Sequence, residues 1–389
     1  MANQSDINRW KKGKDHWNKW AEGCLAAKVK LEKDGKWAVD RAGVATNAET
    51  KRWINSATTD FSGHFFEAKT DFSAFVFPHE VTFAVAEFRH RADFSGAKFC
   101  GSAYFRDATF RSVARFNSAR FCKAASFRRT TFSGNAWFIG SRFKEKSVFS
   151  EATFDKTANF SESKFFGLAS FNWVQSTGSF SLADALFAEV PDFTQTSFRA
   201  PVRLDNLRVP QARPFKLKGH DERAAYYRAL KKIAIESHDH LRELNFFASE
   251  IRERRCNDDP WWHIRYWVGF FYELSSGFGR SILLPLAWLF ASFVGFAYLY
   301  GRHAPDGCMP DSAWPDTRFL AEFYLSFLNS LPLVGFARAH GRDLAEKCLF
   351  GSSEAIKPTV DIVFIGQNIW SALLIFLVLL AVRNHFRIK

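Results

Sequence analysis

Four basic residues in this 389-residue chain stand at one interval: Lys98, Arg120, Arg142 and Lys164 are each 22 residues apart. Arg89 with Arg111, and Arg106 with Arg128, repeat that interval. Between Arg89 and Lys146 there are 13 Lys or Arg against 3 Asp or Glu. If 22 residues make one turn of a stacked structure, each set becomes a column of like charges on neighbouring strands. Such a column destabilises a sheet unless something offsets it. Guanidinium and ammonium groups in a row suit phosphate oxygens. The columns are therefore candidate sites for a phosphate-bearing ligand, a nucleic acid, an anionic lipid or an acidic partner. The plainer alternative is a solvated positive face that keeps an edge-rich fold soluble. A net charge of +13 favours anionic partners or membrane surfaces over cationic ones.

Other reactive groups are sparse. The chain has no P-loop, no GxSxG, no HExxH and no clustered acid pair, so neither catalysis nor a cofactor is expected. His238 and His240 are two apart and do not share a helix face, and His303, Asp306, His340 and Asp343 have no motif spacing, so no metal site is expected. Six cysteines (Cys24, Cys100, Cys122, Cys256, Cys308, Cys348) lie far apart without a CxxC pair, which argues against a zinc knuckle or redox motif.

The element that positions the columns is a ladder of large residues from Phe61 to Leu204, spaced alternately 5 and 6 residues apart. Of 27 slots, 24 are Phe; Ser176 misses, while Leu182 and Leu204 keep the phase. A small residue commonly stands two places before the slot, as at Ala97, Ala119, Ala136 and Ala158. Steps of 5 and 6 exclude a helix and fit short strands joined by turns, with Ser-Gly and Asn-Ser pairs in the gaps. A period held this long marks a solenoid, in which each coil is buried against its neighbours. The stretch resembles the pentapeptide-repeat proteins in their Phe-rich form, A-x-F-x-x-A-x-F. That resemblance implies a right-handed, four-sided β-helix with one slot per side. Four steps then make a coil of 22 residues. About six and a half coils at ~4.8 Å give a rod ~31 Å long. One role known among pentapeptide repeats, mimicry of DNA, needs an acidic rod, and this face is basic.

The chain divides into four expected parts. Residues 1–55 hold an amphipathic helix from Ile7 to about Leu31, with Trp10, Trp17 and Trp20 on one face. It either caps the open end of the solenoid or docks on a membrane surface. The amino-terminal sequence lacks an apolar h-region, so no signal peptide is expected there. Residues 56–210 form the β-helix. Residues 211–280 hold a long amphipathic helix over Asp221–Arg255, as one piece or two with a break. The aromatic stretch DPWWHIRYWVGFFYEL follows and suits the membrane–water interface.

Residues 281–389 hold two uncharged runs of 21 residues, Ser281–Gly301 and Ile362–Val382, each long enough to cross a bilayer. The intervening residues 302–361 carry 6 Lys or Arg against 8 Asp or Glu, and the tail RNHFRIK carries basic residues only. The positive-inside rule then places both termini in the cytoplasm and the loop 302–361 outside, in a bacterial inner membrane. There Cys308 and Cys348 are placed to form a disulfide. A third uncharged run, Phe323–Ala337, is too short to span and is interrupted by Pro332. Helix, half-helix and helix make a layout similar to the two-helix potassium-channel pore module. Leu333, Val334, Gly335, Phe336, Ala337 and Arg338 resemble a degenerate T-V-G-Y-G-D filter, matching at Val334, Gly335 and the aromatic Phe336. Leu333, Ala337 and Arg338 depart from that pattern. Ala337 strains filter dihedrals, and a ring of Arg338 repels cations.

Three functions are compatible with this reading. The leading one is an oligomeric, channel-like pore, most simply a homotetramer, biased by the cytoplasmic rod. The second is a non-conducting scaffold holding a basic rod at the lipid bilayer for an acidic partner or anionic ligand. The third is a membrane-damaging effector.

Overall fold

The computed structural model describes residues 2–41, 43–213, 221–255, 262–304, 318–330, 345, 348–350 and 357–386. The chain divides into two compact units, Met1–Asn257 and Asp258–Lys389.

The first unit is built on a parallel β-solenoid with strands of two residues, from β1 (Thr59–Asp60) to β25 (Ser197–Phe198). They form four sheets, one per side, each joining strands from successive coils. Register follows the 22-residue coil without a slip: Phe99 lies opposite Phe121, which lies opposite Phe143. Each strand turns one residue inward, a Phe on two of the sides (as at Lys98–Phe99) and the small residue on the other two (as at Ala103–Tyr104), where the ring follows the strand. Along each side the inward rings stack almost parallel, as at Phe99–Phe121 (4.7 Å, 1°) and Phe121–Phe143 (4.7 Å, 2°). Around the coil neighbouring rings also meet edge-on, as at Phe105–Phe116 (5.4 Å, 88°). Both geometries suit the aromatic quadrupole. At the missing slot, Ser176 is buried and the next inward small position carries Phe180, whose ring meets Phe154 at 5.8 Å. One small and one large residue have exchanged places, and the volume of the axis is preserved.

The corners explain the alternation of step length. Fourteen residues at strict 11-residue steps, from Gly63 to Asn206, have φ between 49° and 67°, and only three of them are Gly. Each stands inside a 5-residue step, so the short sides turn through a left-handed residue and the long sides use an extra one. Val85, β-branched at φ 58°, is the most strained of these corners.

Helices close both ends of the solenoid. At the start are α1 (Gln4–Lys11), α2 (Lys14–Lys33) and α3 (Ala48–Ala57). The single helix expected over Ile7–Leu31 is two, because Gly13 at φ 89° breaks it. Trp10 stacks on Phe72 at 5.4 Å, and the buried Trp17 donates its indole N–H to the Val76 carbonyl at 2.8 Å. Asn18 bonds the first coil's backbone twice, at Ala74 and Val76, as a further strand would. These rings cover the end of the solenoid rather than a membrane surface. At the far end, α4 (Asp221–Glu236) and α5 (His240–Arg254) form a hairpin, the two-piece alternative, with the break at His238 (φ 55°). Tyr227, Leu230, Ile233 and Phe246 join the solenoid's own core, and the Tyr227 hydroxyl donates to the Pro210 carbonyl at 2.7 Å.

The second unit contains α6 (Ile264–Ser276), α7 (Leu283–His303), α8 (Arg318–Ser330) and α9 (Lys357–Phe386). Helices α7 and α9 are long and apolar enough to cross a membrane, over Leu283–Arg302 and Asp361–His385. Their apolar side chains are largely uncovered, Phe290, Ile362 and Ile369 among them, which is unlike the core helix of a soluble domain. The short α8 packs against both.

Two stability measurements test this account. Phe121→Ala removes a ring held between two others and should cost ~3–5 kcal/mol of unfolding free energy, read from the denaturant midpoint. Val85→Asn should raise that midpoint, by about 1 kcal/mol, because Asn tolerates the left-handed region; an unchanged midpoint would show that the corner stores no strain.

Candidate functional site

The first basic column lies in one sheet, on β8 (Lys98–Phe99), β12 (Arg120–Phe121), β16 (Arg142–Phe143) and β20 (Lys164–Phe165). Lys98, Arg120, Arg142 and Lys164 stand in direct register, each the outward partner of a buried Phe, and all four side chains are exposed. Among the described residues none of the four has a carboxylate within 4.0 Å.

The other two columns are neutralised. Arg89 pairs with Glu67 at 3.3 Å and Glu87 at 3.4 Å, and Arg111 pairs with Glu87 at 2.5 Å. Arg106 meets Asp107 at 3.1 Å, and Arg128 meets Glu151 at 2.7 Å. Arg129 clasps Asp107 from the next coil with two bonds, 2.6 and 3.0 Å. Glu87 and Glu151 fall just outside the stretch Arg89–Lys146, so its excess of bases overstates the exposed charge. The Arg129 bond holds the Asp107 carboxyl below its ordinary range, and the Arg111 bond does the same for Glu87. Both lowered carboxylates stabilise the fold above their unfolded pKa, and the contribution is lost as pH falls through the native value.

The uncompensated column continues in register beyond the expected residues, from Lys164 to Leu186 and on to Arg208. A groove of about 460 Å³ runs beside it. One wall carries Arg142, Lys164, Leu186 and Arg208; the other is the corner column Ser118, Gly140, Glu162 and Asp184. Arg208, Glu162 and Asp184 were visible in the sequence as further members of 22-residue series, but only when both walls are counted.

In the second unit the candidate filter, Leu333 to Arg338, lies outside the described residues, as does Cys308. Cys348 is buried and disulfide-bonded, with its partner outside the described residues. What the structure adds is a buried polar cluster. Gln367 on α9 lies between Tyr300 on α7 and Ser326 and Ser330 on α8. Its amide nitrogen donates to the Ser326 carbonyl at 2.8 Å and stands 3.0 Å from the Ser330 hydroxyl. Its amide oxygen accepts from the Tyr300 hydroxyl. Among the described residues no group of three or more His, Cys, Asp or Glu could hold a metal ion.

Residues 94–142 match the family model for pentapeptide repeats, in 9 copies. The solenoid is a pentapeptide-repeat β-helix. Comparison of the chain with curated proteins and with solved structures finds no match. Within the pentapeptide-repeat rod the matched stretch holds Lys98, Arg120 and Arg142, three of the four members of the uncompensated column. The fold of pentapeptide repeats fixes the register of that column and leaves the identity of its outward residues free.

Charge substitutions in the pentapeptide-repeat rod should separate the two kinds of column. Replacing Arg120 and Arg142 together by Gln should raise the melting temperature at low salt, and the gain should shrink as salt screens the repulsion. Arg129→Gln should instead lower it and weaken its acid dependence, because Asp107 loses the partner that holds its pKa down.

Proposed function

We propose that this chain is one subunit of an oligomeric, channel-like membrane pore whose conduction is biased by the β-helical rod. The observation that carries this reading is α8, a helix of 13 residues and ~20 Å. It is too short to cross a bilayer, yet it is fastened between two membrane-length helices through Gln367. Polar side chains buried at membrane depth are costly and are characteristically found where ions or substrates pass. Two spans and one short helix cannot enclose a pore alone, so the reading requires several copies, most simply four. The rod and both termini belong in the cytoplasm and residues 302–361 outside, in a bacterial inner membrane; a bond from Cys348 to Cys308 would suit that outer loop.

Ion flux from the purified full-length protein in liposomes tests this directly. Flux is expected, and Gln367→Leu should reduce it without dispersing the oligomer. Silence under every cation and anion tried would retire the pore. The second reading is a non-conducting scaffold that presents the rod at a membrane. It is favoured by the uncompensated column and by the helices closing both rod ends, which leave the sides as the surface for a partner. A strict monomer by native mass, with no flux, would select it.

A further inference from the structure

We propose that the groove beside the uncompensated column binds a compact, soluble polyphosphate ester of the nucleoside triphosphate class. In this site Arg142 and Lys164 hold the phosphates, Leu186 faces a ring, and Glu162 and Asp184 accept from the sugar hydroxyls. The inference rests on reading the rod as the ligand-binding unit, and it holds whether or not the second unit conducts.

Size and placement come first. The space of about 460 Å³ falls within the range of small-molecule sites, ~300–1,000 Å³. It lies on a rigid face, since each member of both walls hangs from a backbone bonded to a neighbouring coil. Arg142 N–H bonds the Ala119 carbonyl at 2.9 Å and Lys164 N–H the Ser141 carbonyl at 2.9 Å. Glu162 N–H bonds the Ala183 carbonyl at 2.9 Å.

The two walls then define the ligand. Cations on successive coils are ~4.8 Å apart, so neighbouring side chains can each reach a different phosphate of one phosphoanhydride chain. Leu186 interrupts the cationic wall between Lys164 and Arg208 and offers an apolar face to a ring. On the opposite wall Asp184 accepts from the Asn206 amide at 3.0 Å, which fixes its carboxylate. Neither Glu162 nor Asp184 comes within 4.0 Å of Arg142, Lys164 or Arg208, so the groove does not neutralise itself. A nucleic-acid strand or an anionic bilayer lying along the column would press phosphates against those two carboxylates. A ligand with its charge at one end and hydroxyls at the other meets both walls with the right sign.

Calorimetry on the full-length protein in detergent, with ATP and with inorganic tripolyphosphate, tests the site. Both are expected to bind, and Arg142→Ala or Lys164→Ala should each weaken both by about tenfold. Glu162→Ala with Asp184→Ala should weaken ATP and leave tripolyphosphate as tight or tighter, because only ATP brings hydroxyls to that wall. Lys98→Ala, in the same column but outside the groove, should change neither. Three results would overturn the proposal: no binding of either compound at millimolar concentration, equal losses from Lys98→Ala and Arg142→Ala, or tighter binding of a single-stranded oligonucleotide or anionic vesicles than of ATP. Binding without ion flux retires the pore and keeps the site; flux without binding does the reverse.

Discussion

The first unit depends on one constraint: a phenylalanine ring must meet the ring one coil away, face to face, at every side of the axis. Strands of two residues have almost no stability of their own, since each contributes little backbone bonding and no hairpin. The stacked rings supply what the strands lack, burying apolar surface and fixing the separation of coils together. Corners and outward residues follow from it. The left-handed residue every 11 positions is tolerated at Val85, Arg129 and Trp173 because the axis leaves the chain no other way to turn.

That constraint also governs the electrostatics. Perfect register brings outward side chains of equal charge to one strand spacing, and the chain answers this in two ways. Where arginines recur at or beside the corners, carboxylates from the same or adjacent coils enclose them, as Asp107 and Glu151 do. Along the column from Lys98 to Lys164, among the described residues, no carboxylate comes within 4.0 Å. The difference lies within a single rod of uniform core, so it cannot come from the packing requirements of the interior.

Much of this was legible in the sequence, and the reasons are specific. The ladder was readable because one residue type repeats in one phase over 27 slots, and the coil length follows by counting. A short helix was expected along the uncharged run from Phe323, and α8 (Arg318–Ser330) covers the start of that run, although it begins five residues earlier and includes Arg318 and Glu322. The break at Gly13 was not legible, because Trp and Leu keep a helical spacing across it and a single left-handed residue alters no periodicity. The exchange of Ser176 and Phe180 looked like a lapse because slot patterns record identity, whereas the axis conserves volume. Ion pairs such as Arg111 with Glu87 were hidden for a different cause: they connect residues 24 apart, one coil plus a two-residue offset, which a column drawn at 22 does not include.

The strict register carries a consequence for how such a rod can change length. A coil is also an angular unit, a full revolution about the axis. Gaining or losing 22 residues adds or removes one rung and leaves every other face pointing where it did. Eleven residues would turn all later coils through half a revolution and carry the cationic wall to the opposite side. Any other number would set rings against corners. The rod is therefore indexed like a screw thread, and its surface can be lengthened only in whole turns if its faces are to keep their bearings.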